Sequence, residues 1–149
     1  MARIPCHVRR FLSDRFFCFL PFSLRFSHFF GYVEALVDTG SPFTVISPTD
    51  ALRLKLPITT MRTGSPIFLA GYRFLNCPIE KVHLNFKMED GQYFSTDIKM
   101  GVLVPTKIDR KTLEDIKHIP SLIGNDFLED QKLALSFNPS SRLAYLESK

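Results

Sequence analysis

The run Ala35-Leu36-Val37-Asp38-Thr39-Gly40-Ser41 drives an apolar segment straight into an acid and then into small, turn-forming residues. A carboxylate at the mouth of a buried strand loses part of its hydration, which favours its protonated form. A second carboxylate close by would raise one of the two further. Such a pair shares one proton, so that one member can take a proton while the other gives one. Thr39 and Ser41 supply hydroxyls able to orient the carboxylate, and Gly40 allows another backbone to come close. Taken alone, Asp38-Thr39-Gly40 reads equally well as an ordinary turn.

A second informative segment lies far downstream: Ser121-Leu122-Ile123-Gly124-Asn125-Asp126-Phe127-Leu128. Two apolar residues and a glycine, followed by a short helical turn, suit a strand packed against the strand that carries Asp38. Asp126, beside a helix start, reads as a structural cap rather than a second catalytic acid.

The elements that must position these residues are mostly short strands with turn signals between them, as expected for a small all-β domain. Residues 33–37 form a buried strand and residues 43–46 a second, after Gly40-Ser41-Pro42. One helix follows, capped by Ser47 with Pro48 in its first turn and Asp50 near its positive end, stopping before Pro57. Residues 67–69 and 72–75 flank Ala70-Gly71 as a short hairpin with a mobile tip. Val82, Leu84 and Phe86 alternate with Lys81, His83, Asn85 and Lys87, and Glu89-Asp90-Gly91 turns the chain into residues 92–100, giving a half-buried hairpin. Residues 105–120 are polar and read as a long connection, with Leu113 and Ile116 spaced for at most a short helix. Residues 132–137 and 142–146 form a last hairpin.

In this order of elements the chain resembles the retropepsin-like aspartic proteases, single-domain relatives of pepsin, over most of its length from Val33 to Leu146. The resemblance implies a small closed β-barrel-like acid-protease fold with one or two short helices, active as a two-fold homodimer. It makes Asp38 the catalytic acid. Thr39 would brace the two active-site loops across the subunits, Ser41 would hydrogen-bond the outer carboxylate oxygen, and Gly40, Leu122, Ile123 and Gly124 would support the site. The hairpin bearing Leu69, Ala70, Gly71 and Tyr72 falls where the family keeps its flap, and the terminal strands, including residues 142–146, would interleave at the two-fold interface. Three departures stand out: Asn125 occupies the place where viral members carry an arginine, the flap tip has one glycine, and residues 26–31 do not read as a tight turn between two early strands.

Only one Asp-Thr-Gly is present, so an enzyme of this kind needs a homodimer with Asp38 given by each subunit. Its substrate would be a polypeptide, and the chemistry needs no metal and no organic cofactor. His83 and His118 have no nucleophile or ligand at a suggestive spacing and read as surface residues. Cys77, before Pro78, reads as a buried inert thiol.

Composition bounds the alternatives. The chain has 149 residues, 45% hydrophobic and 23% charged, as one domain of ordinary make-up does. The net charge of +4 comes from residues 1–33, with five Arg and one acid, whereas residues 34–149 carry 14 basic and 14 acidic side chains. A neutral body argues against nucleic acid as the main partner. Three cysteines without framework spacing favour a reducing compartment, hence the cytoplasm. The charge-free run 16–24 is too short to span a bilayer, and Pro21 interrupts it as a signal-peptide core. Residues 1–33 hold eight of the fifteen Phe and none of the nine Lys, so residues 1–31 are set apart as a leader of uncertain structure from a domain over 32–149. The leader is read as a strand plus a poorly ordered stretch, with a membrane-surface arm or a segment foreign to the mature domain as the other readings. Three functions remain: an aspartic endopeptidase, a non-catalytic dimeric peptide-binding module of the same fold, and a surface- or partner-binding protein driven by the Phe/Arg leader.

Overall fold

The computed structural model describes residues 1–149. The chain opens with β1 (Ile4–Pro5), β2 (His7–Arg10), β3 (Phe16–Phe26) and β4 (Phe29–Val37). β5 (Val45–Ile46), α1 (Pro48–Arg53), β6 (Ser65–Leu69), β7 (Tyr72–Lys87) and β8 (Tyr93–Pro105) follow. α2 (Arg110–Ile116), β9 (Leu122–Ile123), α3 (Asn125–Asp130), β10 (Leu133–Asn138) and β11 (Leu143–Ser148) complete it. The protein is all-β as expected, with three short helices rather than one or two. None of them is long and apolar enough to cross a membrane.

Eight strands pair in the order β2-β3-β4-β9-β5-β8-β7-β6, and an additional β3–β7 pairing joins strands from the two halves of that order. The ring β3-β4-β9-β5-β8-β7 therefore closes into a barrel, which leaves no free edge along the strands that carry the site. Val82, Leu84 and Phe86 face its interior with no exposed surface, as their alternation with polar neighbours dictates. Phe22, Phe86 and Phe127 meet with ring centroids 5.4 and 5.5 Å apart, tying β3, β7 and α3 together through one aromatic cluster. Truncating Phe86 would forfeit about 3–5 kcal/mol.

Several local expectations need correcting. The leader is not a poorly ordered stretch: Ile4, Phe19 and Leu20 are fully buried, and β1, β2 and β3 are woven into the two sheets. The composition change near residue 31 falls inside β4. Residues 26–31 do contain a tight turn, because Phe26 pairs with Phe29 across Ser27-His28, with Ser27 at φ 53°. No glycine marks it, and the stacked Phe26 and Phe29 rings close it instead. β7 runs unbroken through Pro78, where a proline argues against a central strand. An irregularity between Ile79 and Val82 lies just beyond it, and Pro78 sits opposite Gly101.

A smaller sheet, β1-β11-β10, lies beside the barrel. β11, the strand expected to interleave between subunits, has both edges occupied within one chain by β1 and β10. The long open edge of this sheet belongs to β10.

Candidate active site

β4 ends at Val37, and the next residue, Asp38, begins the loop that carries the chemistry. The strand is pinned from the side by β9: Leu36 pairs with Leu122 and Val37 with Ile123 in parallel register. The Leu36 N–H donates to the Ser121 carbonyl at 2.8 Å, and the Asp38 N–H to the Ile123 carbonyl at 2.9 Å. The later apolar-apolar-glycine segment thus stands against the acid-bearing strand, as its pattern suggested.

Asp38 is half-buried, while Thr39 and Gly40 are exposed. The Gly40 N–H donates to Asp38 Oδ1 at 3.0 Å, and the Ser41 N–H closes the turn onto the Asp38 carbonyl at 3.0 Å. The Ser41 hydroxyl does not reach the Asp38 carboxylate: it donates to the Phe43 carbonyl at 2.9 Å and accepts from the Phe43 N–H at 3.2 Å. A local serine turn wins over the longer reach because both of its partners lie only two residues on. Within one chain Thr39 makes no side-chain hydrogen bond. It borders a shallow groove of about 470 Å³ that extends past Leu128 to Leu135 and Phe137 of β10.

The Asn125 N–H donates to the Ser41 carbonyl at 2.8 Å, joining the two loops. Gly124 is required at this junction, because a Cβ there would sit 2.4 Å from the Phe43 carbonyl oxygen and 2.8 Å from that of Ser41. Thr44, buried shortly after the acid, accepts the Gly124 N–H on Oγ1 at 3.0 Å and donates the same hydroxyl to Asp126 Oδ1 at 2.7 Å. The Thr44 N–H donates to Asp126 Oδ2 at 3.2 Å. Asp126 is therefore structural, in the first turn of α3, though Gly124 and not Asp126 holds the N-cap position, and the carboxylate also binds Thr44. Asp126 also accepts the Phe127 N–H at 2.8 Å, and Phe127 anchors α3 in the aromatic cluster. Thr44 carried no signal in the sequence, since its role depends on a residue 82 positions away.

The β6–β7 hairpin turns through Ala70 at φ 53° and Gly71 at φ 83°. Positive φ at both central residues is the two-residue turn that matches strand twist. Leu69 and Tyr72, at the strand ends, pack with Ile67 on a small apolar cluster that includes Val45, Phe74 and Leu122. Leu36, near the acid on β4, packs on the same cluster, so the hairpin and the Asp38 strand share one apolar patch.

The remaining titratable candidates lie outside this loop. His83 Nδ1 is 2.8 Å from Asp97 Oδ1 on the neighbouring strand, a partner the sequence spacing did not suggest. His118 is exposed. Burial pushes the Cys77 thiol up, with the Arg62 charge opposing it in part, so the thiol is held protonated. Cys6 and Cys18 are pushed up to about 12 and about 11, chiefly by burial.

Comparison with solved structures finds a retropepsin-like aspartic protease from Rickettsia conorii at 19% identity and TM-score 0.52, covering 85% of this chain and 88% of that one. It also finds EIAV protease complexed with the inhibitor HBY-793, at 18% identity and TM-score 0.43, covering 87% of this chain and 99% of that one. The retroviral protease-like domain of Ddi1 from Leishmania major matches at 15% identity and TM-score 0.42, covering 78% and 79%. No protein-family model matches the sequence, and no curated protein does. The chain has the retropepsin-like aspartic protease fold. At this identity the likeness is one of fold.

Proposed function

We propose that the chain is an aspartic endopeptidase that acts on polypeptides as a homodimer. The observation that supports this best is the setting of Asp38: a half-buried carboxylate fixed by the Gly40 N–H, on a loop locked to the Gly124 loop, with Thr39 exposed beside it. One chain holds one such acid, so a two-fold pair brings two together. In the pair, the ionised Asp38 takes a proton from a bound water whose oxygen attacks the scissile carbonyl carbon. The protonated Asp38 polarises the carbonyl oxygen, and a proton then passes to the amide nitrogen as the C–N bond breaks. The reaction asks for no metal or cofactor.

In this reading Thr39 braces the pair of loops, Leu122, Ile123 and Gly124 hold them from behind, and Leu69, Ala70, Gly71 and Tyr72 cover an extended substrate. In place of residues 142–146, which pair within the chain, this reading puts the open edge of β10, which the Thr39 groove reaches, at the subunit interface. Every residue given a role lies within 32–149, which the proposal takes as the protease domain, with residues 1–31 supplying β1, β2 and the barrel strand β3. The free thiols Cys6, Cys18 and Cys77 fit a cytoplasmic setting.

A peptide-library digest at acidic to neutral pH, with the wild type and Asp38→Asn, tests the proposal. Sequence-selective cleavage by the first and none by the second is expected. Cleavage that survives the substitution, or its absence in the wild type, contradicts it.

A further inference from the structure

A groove of about 760 Å³ lies away from Asp38, which does not border it. It crosses the outer face of the barrel, where β4, β3, β7 and β8 lie side by side. In that order the register aligns Tyr32 with Ser23, Ser23 with Asn85, and Asn85 with Ser95. The middle of this row is short and polar, with the Ser95 hydroxyl bonded to Asn85 Oδ1, so the sheet is left low there. Large side chains rise around it: Tyr32 is 71% exposed, Tyr93 59% and Phe30 57%. Three exposed aromatics around one trough are more than isolated surface apolar residues, and such a cluster marks a binding surface.

The charges at the groove have one sign. Arg25 and Lys87 line it, and neither makes an ion pair or a side-chain hydrogen bond within the chain. His7 and His83 line it as well, each held by a carboxylate, Glu34 and Asp97 respectively. No acid lines the groove itself. Glu34 and Asp97 stand at its margins, already engaged by His7 with Arg9 and by His83 with Lys81. Two free cations over a hydrogen-bonding floor match two carboxylates. They do not match the unbroken charge of a nucleic-acid backbone, which needs a basic stripe and would meet Glu34 and Asp97 at the margins.

We propose that this groove is a docking site for an extended acidic peptide segment. Arg25 and Lys87 pair with its carboxylates, Ser23, Asn85 and Ser95 bond its backbone or polar side chains, and Tyr32 and Tyr93 pack on its apolar or aromatic residues. Tyr32 and Asp38 are joined by one run of extended chain, about 20 Å apart at the rise of a strand. The groove is thus a second contact surface, separate from the Asp38 loop, and its binding is measurable whether or not the chain cuts peptides.

The test is fluorescence anisotropy with a labelled Glu/Tyr peptide of about ten residues, long enough to cross four strands. The same peptide with Lys in place of Glu and an oligothymidylate of similar length serve as comparison probes. Saturable binding of the acidic peptide is expected. It should weaken with salt, fall about ten-fold or more in Arg25→Glu/Lys87→Glu, and fall several-fold in Tyr32→Ala and Tyr93→Ala. All four residues keep exposed side chains or partners outside the core, and circular dichroism and melting of each variant check the fold. No saturable binding, binding indifferent to the charge reversal, or tighter binding of the oligothymidylate with the same sensitivity to Arg25 and Lys87 would overturn the proposal.

Discussion

Thr44 and Asp126 are bonded twice, hydroxyl to Oδ1 at 2.7 Å and N–H to Oδ2 at 3.2 Å, across 82 residues of sequence. Because the same hydroxyl accepts the Gly124 N–H, this pair connects the loop after Asp38 to the start of α3. Replacing Thr44 by Val keeps the size but leaves the Asp126 carboxylate and the Gly124 N–H each short of a partner. A loss of about 2–3 kcal/mol is expected from the charged hydrogen bond and the unsatisfied groups together. Urea denaturation measures it; a midpoint equal to the wild type would show that the connection does not hold the loops.

Thr39 offers the opposite contrast. Its side chain is exposed and makes no hydrogen bond within the chain, so Thr39→Val should leave the stability of the single chain within about 0.5 kcal/mol of the wild type. If Thr39 braces the two active-site loops across a dimer, the same substitution weakens association and activity. Sedimentation over a dilution series reads the association directly, and an unchanged dimer with full activity would remove Thr39 from the interface.

The turn at Ala70-Gly71 sets the third expectation. Gly71 is at φ 83°, and a Cβ added there would meet nothing within 4 Å, so a side chain faces backbone strain rather than a clash. For a β-branched residue that strain is about 1–3 kcal/mol. Gly71→Val should lower kcat/KM while the protein stays folded, and Ala70→Gly, which relieves φ 53°, should not. Steady-state kinetics decide the matter: unchanged efficiency in a stable Gly71→Val variant would make the hairpin an ordinary turn.

Glu34 contributes to stability on the acid side. Burial pushes its carboxyl up, but hydrogen bonds and charge from His7 and Arg9 outweigh this and hold it below the usual glutamate value. A group with a depressed folded value adds stability that is full above the ordinary glutamate range and is lost as pH falls through the folded value. With Glu34 about a third exposed, the contribution is about 0.3–1 kcal/mol. Melting temperatures of Glu34→Gln should therefore fall below the wild type near neutrality and converge with it in acid. A constant gap at every pH would contradict the assignment.

Where a feature was written in neighbouring residues, the sequence disclosed it. The acid after Ala35-Leu36-Val37, the glycine after Leu122-Ile123, the Ser47 cap of α1 and the period-two alternation at Val82, Leu84 and Phe86 are all local. β2 escaped notice because an edge strand of His7, Arg9 and Arg10 has no buried face to alternate. The continuity of β7 was hidden by Pro78, which stays in register opposite Gly101, with the irregularity in the pairing lying beyond it between Ile79 and Val82. The Ser41 hydroxyl turned to Phe43 rather than to Asp38, a choice between two nearby acceptors that residue type does not decide. Thr44 and the Tyr32-Ser23-Asn85-Ser95 row arise only when distant strands are brought into register.

The central claim is that two Asp38 carboxylates, one from each subunit, form one catalytic unit. Mixing wild-type and Asp38→Asn chains at constant total concentration, under conditions that let subunits exchange, tests it directly. If both carboxylates are needed, activity follows the square of the wild-type fraction, so an equal mixture retains about one quarter of the activity. Activity that falls in simple proportion to the wild-type fraction, leaving about one half, would mean that a single chain carries the whole site.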